Sequence, residues 1–290
     1  MQKNTLESLM KWVFCISAVV SIVALFAICY FIFMGSLPFF REYGIWNFLF
    51  GATWKPKVGQ FGIAPMLVGS LYVTLLALLI GVPAGIFTAS FMAFYCPEKL
   101  HRWLKPAINL MAGIPSIVYG YFGLTVIVPA LRRFCRLVGI QTTGMSLLAA
   151  GLVLGIMILP TIITISESSL RAVSKAYYRA SIGLGATHDR TVYKIMVPAA
   201  RSGVISAIIL GIGRAVGETM AVIMVAGNQA RFPKGLFQGV RTMTTNIMME
   251  MAYASGTHQS ALIATGAVLF VFILIINASL AYINRQGGRH

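Results

Sequence analysis

The chain is poor in charge, in cysteine and in acid. Only 10% of its 290 residues are charged, against roughly 25% in a soluble globular domain, too few to cover a water-facing surface. Four cysteines with no Cys-x-x-Cys spacing exclude a disulfide scaffold and give no sign of a metal or redox pair. The four histidines are scattered, without the His-x-x-x-His spacing that presents two ligands on one helix face. No Gly-x-x-x-x-Gly-Lys-Ser/Thr occurs, nor any Gly-Lys dipeptide, which excludes a P-loop ATPase. His-Glu-x-x-His and Gly-x-Ser-x-Gly are also missing, so neither a zinc peptidase nor a serine hydrolase is indicated. We expect no catalytic residues, no metal and no cofactor in this chain.

What is present is apolar. Hydrophobic residues make up 58% of the sequence and the mean hydropathy is +0.82. The composition is that of a polytopic membrane protein, and at about 20 apolar residues per crossing its length allows about six helices. The apolar runs place spans at about 12–34, 67–95, 106–129, 145–165, 203–226 and 261–283, in a single all-α membrane bundle. The first reads as a retained signal anchor, followed by a polar loop with Pro38, Arg41 and Glu42. Gly81, Pro83 and Gly85 predict a kink or tilt in the second. A long charged stretch from Glu167 to Arg201 separates the fourth from the fifth. Cys96 and Cys135 fall in loops.

Basic residues outnumber acidic ones by 23 to 7, a net charge of +16. In a membrane protein this excess meets anionic lipid and sets topology, and no nucleic-acid motif supports the other use of such charge. With the N-terminus inside, thirteen basic residues fall on the inner side and nine on the outer. The positive-inside rule then puts both termini in the cytoplasm, although Arg132, Arg133 and Arg136 lie outside. Those three form a candidate basic mouth that draws in an anion or an acidic protein surface, or else touch lipid headgroups.

Three patterns carry candidate chemistry. In 211–222, Gly-Ile-Gly-Arg-Ala-Val-Gly-Glu-Thr-Met-Ala-Val, Arg214 falls about 11 residues into the fifth span, roughly 16 Å deep at 1.5 Å per residue. As a continuous helix, Glu218 would share its face one turn further out. An intramembrane charge costs about 3 kcal/mol or more, so these two either form a structural ion pair or serve an anion pathway, where a guanidinium fork recognises an oxyanion. In 179–198, a polar helical piece, Gly185 and a second helical piece ending at Pro198 form an inner loop able to dock a partner, or a solvated connector. In 113–120, Ser116 and Tyr119 flank Gly113-Ile-Pro115 and Gly120, where a kink with a back-bonded serine competes with a pathway role.

These patterns resemble a known family. The Gly185 and Ile195-x-Val197-Pro198 frame is similar to the "EAA" loop of bacterial ABC-importer permeases. The Arg214–Glu218 stretch, the Pro115-Ser116 to Gly120 stretch and 61–71 resemble phosphate-importer permeases, with Met-Ala-Val after Glu218 as in the PstC-type subunit. The resemblance implies the type I ABC-importer fold and a phosphate pathway near Arg214, Glu218, Ser116 and Tyr119. It implies coupling through Arg179, Ala180, Ser181, Gly185, Ile195 and Pro198. The implied partners are a homologous PstA-type permease, two ATP-binding subunits that use ATP and Mg, and an extracytoplasmic phosphate-binding protein, all at the bacterial inner membrane. The sequence departs from the family pattern at the loop, where Arg179-Ala180-Ser181 stands for a triplet that usually opens with Glu, and Val197 for Leu. Other readings are a sulfate or molybdate permease, an ATP-independent anion channel, and an intramembrane hydrolase using Glu218; the last lacks a second catalytic group.

Overall fold

A computed structural model describes residues 2–287. Helix α1, Gln2–Tyr43, is followed by the short α2, Ile45–Phe50, and a two-residue hairpin, β1 Trp54–Lys55 and β2 Gln60–Phe61. Then come α3 Ala64–Phe94, α4 Glu98–Gly113, α5 Ser116–Leu137 and α6 Leu147–Ala172. A helical hairpin, α7 Lys175–Gly183 and α8 His188–Ala199, leads into α9 Arg201–Gly217, with α8 and α9 meeting at a bend of 68°. The chain ends with α10 Met220–Val225, α11 Met243–Glu250 and α12 Thr257–Gly287. Five described helices are long and apolar enough to cross a bilayer, and the bent α8–α9 pair makes a sixth.

Several boundaries differ from those read in the sequence, each for a physical reason. Pro38, Arg41 and Glu42 continue α1 rather than forming a loop, since buried Phe39 stacks on Tyr43 and meets Phe48 and Phe61 edge to face, with Tyr43 edge to face on Phe61, which holds the helix in register. The third span begins at Ser116, not at 106. Pro115 cannot continue a helix and holds the preceding Ile114 extended (φ −68°, ψ 127°), which leaves α4 as a separate amphipathic helix. At its far end α5 runs on through Arg132, Arg133 and Arg136, so buried Cys135 lies on a helix and not in a loop. The fourth helix continues seven residues past its apolar run, to Ala172, and takes Glu167 with it. The fifth span is broken at Glu218 and Thr219.

The tightest packing joins α3 and α6. A Cβ on Gly81 would lie 2.9 Å from Ile158, one on Gly85 2.6 Å from Ile162, and one on Gly151 2.6 Å from Leu76. The glycines expected to kink α3 therefore let two backbones approach, as small residues do between membrane helices, and α3 is one unbroken helix. The central core gathers Val73, Ala77, Leu154, Ile158, Ala215 and Val222 from α3, α6, α9 and α10. A second core, around Phe39, Phe48, Phe61, Met66 and Leu262, closes one end of the bundle. A third, around Met92, Ile108, Leu170 and Val204, closes the end that carries the α7–α8 hairpin. Along α1, every residue from Leu9 to Ile28 is exposed; the later part of the helix packs against α12 and, through Phe39 and Tyr43, against α2 and β2.

Candidate functional site: a broken helix and two charge clusters

Helix α9 stops at Gly217, and Glu218 takes extended backbone angles (φ −73°, ψ 132°). Its carboxylate turns onward rather than back: Oε1 accepts a hydrogen bond from the Ala221 amide at 3.0 Å, which caps α10. Its carbonyl accepts from the Thr244 hydroxyl at 3.1 Å, tying the break to α11. Arg214 and Glu218 form no ion pair, so the shared face expected from a continuous helix does not exist. Arg214 instead donates from Nη1 to Thr161 Oγ1 on α6 at 3.2 Å, its one hydrogen bond to another described residue. A guanidinium has five donors, so most of its fork is unspent while the side chain sits half-buried in the bundle.

The 113–120 pattern lies beside this break. Tyr119 is buried, donates to the Met111 carbonyl at 2.8 Å, and lies within electrostatic reach of Arg214. Gly120 packs on α10 so closely that a Cβ there would meet the Ala221 Cα at 2.9 Å. Ser116 opens α5, half-buried, and its hydroxyl makes no hydrogen bond to another described residue, so the back-bonded kink is not formed. Arg214, Glu218 and Tyr119 are thus brought together around one helix break, with Ser116 a turn away from Tyr119.

A second cluster was missed in the sequence. Glu167, only 2% exposed, accepts from His101 Nε2 at 2.7 Å, from Lys105 Nζ and from Arg171 Nε at 2.9 Å. Arg171 also donates from Nη2 to the Met92 carbonyl at 2.7 Å. One carboxylate therefore fastens α4, the end of α3 and the end of α6 together, just before the α7–α8 hairpin. The signal was available: Glu167 and Arg171 are four apart, the spacing of a helical ion pair, but the end of the apolar run at 165 hid the continuing helix.

The inner loop has the form read from the sequence, two helical pieces about a glycine turn. Gly185 has φ +85°, and nothing stands within 4 Å of where a Cβ would be. Ser181 and Thr191, both buried, hydrogen-bond at 2.8 Å and hold α7 against α8. Arg179 and Ala180 are exposed on α7, Ile195 half-buried and Pro198 exposed on α8. The Tyr95 hydroxyl donates to Asp189 Oδ1 at 2.7 Å and fixes the hairpin to the end of α3; the carboxylate holds that proton and pushes the phenol up to about 12.

At the opposite end, Arg132 and Arg136 line a hollow of about 470 Å³ with Gln141 and Thr142. Arg132 also borders an adjoining hollow of about 530 Å³ with Gln229 and Arg231. Arg133, one position round the helix, lines neither. Arg241, a further basic residue towards this end, is spent: it donates to Glu250 Oε1 at 2.7 Å, while Trp54 and His258 donate to Oε2.

A family model described as the inner membrane component of binding-protein-dependent transport systems matches residues 81–286. The chain is 39% identical to a probable ABC transporter permease protein, YqgH, of Bacillus subtilis, over 89% of this chain and 86% of that one. It is 33% identical to the phosphate transport system permease protein PstC of Mesorhizobium japonicum, over 92% and 86%, and 33% identical to PstC of Haemophilus influenzae, over 93% and 90%. Among solved structures, a bacterial alginate ABC transporter in complex with its periplasmic protein superposes with a TM-score of 0.65 at 16% identity, covering 95% of this chain and 94% of that one. The MetNI methionine ABC transporter superposes at 0.56 and 21%, covering 78% and 94%; these two share the fold. With a helix bundle of that architecture, a matching model over most of its length and relatives above 30% identity end to end, the chain is a multi-pass permease and belongs to the family of binding-protein-dependent transport system inner membrane components.

Proposed function

We propose that this chain is the PstC-type permease subunit of an ATP-driven importer of inorganic phosphate and supplies half of the translocation pathway. The observation that carries the reading is Arg214, an intramembrane guanidinium beside a helix break with one protein partner and an unspent fork. A permanently charged group at that depth is kept where it handles an ion or lines a wet cavity, and the fork matches an oxyanion. The names of the relatives support phosphate as that oxyanion. The partners in this reading are a homologous PstA-type permease, two ATP-binding subunits carrying ATP and Mg, and an extracytoplasmic phosphate-binding protein. ATP hydrolysis belongs to the partners. In this reading both termini and the α7–α8 hairpin face the cytoplasm, which the excess of basic residues on that side supports. Closure of the ATP-binding subunits moves that hairpin, the Glu167 cluster carries the motion to α4 and α6, and the pathway beside Arg214 opens outward.

The test is uptake of labelled phosphate by cells that carry the chain with its partners. Arg214→Gln should lower uptake at least about a hundredfold with membrane levels unchanged, since the fork is lost and the 218 cap is untouched. Uptake within twofold of normal would exclude Arg214 from the pathway. Excess sulfate or molybdate should compete poorly; strong competition by either would favour the other-oxyanion reading.

A further inference from the structure

The α7–α8 hairpin carries a surface that no other described residue covers. Leu184 at its tip is 90% exposed, and Tyr177, Ile182 and Tyr193 are exposed around it. Beside this apolar tip lies a hollow of about 610 Å³ whose charged lining is Arg171, Lys175 and Arg179, with His188 and Tyr178, and no carboxylate. The other lining residues are apolar, among them Phe94, Leu170 and Met196.

Two of the polar groups are already spent. Arg171 is committed to Glu167 and the Met92 carbonyl, and His188 Nδ1 to the Tyr178 hydroxyl at 2.7 Å. Lys175 and Arg179 make no ion pair or hydrogen bond to another described residue. They stand four apart on α7, the spacing that puts two side chains on one helix face. The nearest acid of the hairpin, Asp189, is held by Tyr95.

From this geometry we infer that the hollow receives an acidic side chain projecting from the ATP-binding subunit, whose carboxylate sits between Lys175 and Arg179. The inference rests on the coupling reading above and adds the sign of the contact. A lone carboxylate can bridge the two cations, whereas a basic projection would meet two like charges. A concavity selects a protruding protein group; a lipid surface fits the exposed tip but cannot fill the hollow. The Ser181–Thr191 bond fixes the hairpin beforehand, so little ordering is required on docking.

The experiment uses the assembled complex, purified through a tag on this chain, with a photo-crosslinking amino acid at position 182. In the wild type the crosslink should join this chain to the ATP-binding subunit. Arg179→Glu, at an exposed position, should lower co-purified ATP-binding subunit at least about tenfold and remove the crosslink, while Arg179→Lys retains both. Lys175→Gln should shift dissociation to lower salt. An Arg179→Glu complex with normal subunit content, salt resistance and crosslink would overturn the inference and leave the docking role standing. A wild-type crosslink to lipid or to nothing would overturn the docking role itself, and with it the inference.

Discussion

Glu167 and Glu218 are both acids near the membrane, and their surroundings give them opposite work. Glu167 neutralises cations from two helices. Removing it strands His101, Lys105 and Arg171 around an apolar hole, and breaking a fully buried pair costs about 3–5 kcal/mol. The three partner side chains keep 27–47% of their surface, so solvent screens part of the loss. Glu167→Ala should therefore destabilise the detergent-solubilised protein by about 2 kcal/mol, read as a lower unfolding temperature. Glu167→Gln fills the hole but offers one acceptor oxygen, no charge and an amide donor that must face Lys105 or Arg171, so it should lower the transition as well. An unchanged transition in Glu167→Ala would mean that the cluster does not fasten α4.

Glu218 caps a helix, so charge and cap can be separated. Glutamine still offers an oxygen to the Ala221 amide, whereas alanine does not and forfeits about 1 kcal/mol. Glu218→Gln should fold normally. If the second carboxylate oxygen faces the pathway, it accepts a proton-bearing phosphate and repels sulfate, which carries none. The variant should then admit sulfate better in a competitive uptake assay with labelled anions. Normal phosphate uptake with full exclusion of sulfate would leave Glu218 a cap alone. The sequence announces both Arg214 and Glu218 as charges in an apolar run, but not their separation. The apolar run resumes at Met220 and hides the break, where Glu218 caps the Ala221 amide and its carbonyl is held by Thr244.

At the level of elements, the legible features are those with local chemistry. Gly185 marks a turn and the apolar runs locate the spans, whereas Pro115, read as a kink inside a span, is where a helix starts. The ends were less legible. The charged extensions of α1, α5 and α6 remain helical because they pack or pair at the water boundary, where hydropathy has already fallen. The Gly185 turn admits a direct test. Its φ of +85° costs a β-branched residue about 1–2 kcal/mol or more, while asparagine visits that region more readily. Gly185→Val should leave the protein in the membrane and reduce co-purified ATP-binding subunit; Gly185→Asn should retain most of it. Equal retention in both would show that the hairpin docks without this turn.

For the whole molecule, composition alone establishes the membrane bundle, and a single Arg-bearing stretch places its centre. Charge at the end that carries Arg132 is more selective than its count implied. Arg241 is paired to Glu250, and Arg133 lines neither hollow, which leaves Arg132, Arg136 and Arg231 facing the two adjoining cavities. Their attraction for an anion or an acidic surface is screened over about 8 Å at physiological salt. Arg132→Gln with Arg136→Gln should raise the phosphate concentration for half-maximal uptake at low ionic strength, with little change in maximal rate. Arg133→Gln alone should do neither. Equal effects from all three would return these arginines to lipid headgroups.

The exposed stretch of α1 has a practical meaning. From Leu9 to Ile28 no residue is covered by the chain's own fold, so internal packing exerts no selection on the order of side chains there, and the stretch is free to drift so long as it stays apolar. A spin label or fluorophore at Ile16 or Val23 therefore reports on whatever lies alongside the chain, lipid or a neighbouring subunit, without disturbing the bundle that carries Arg214.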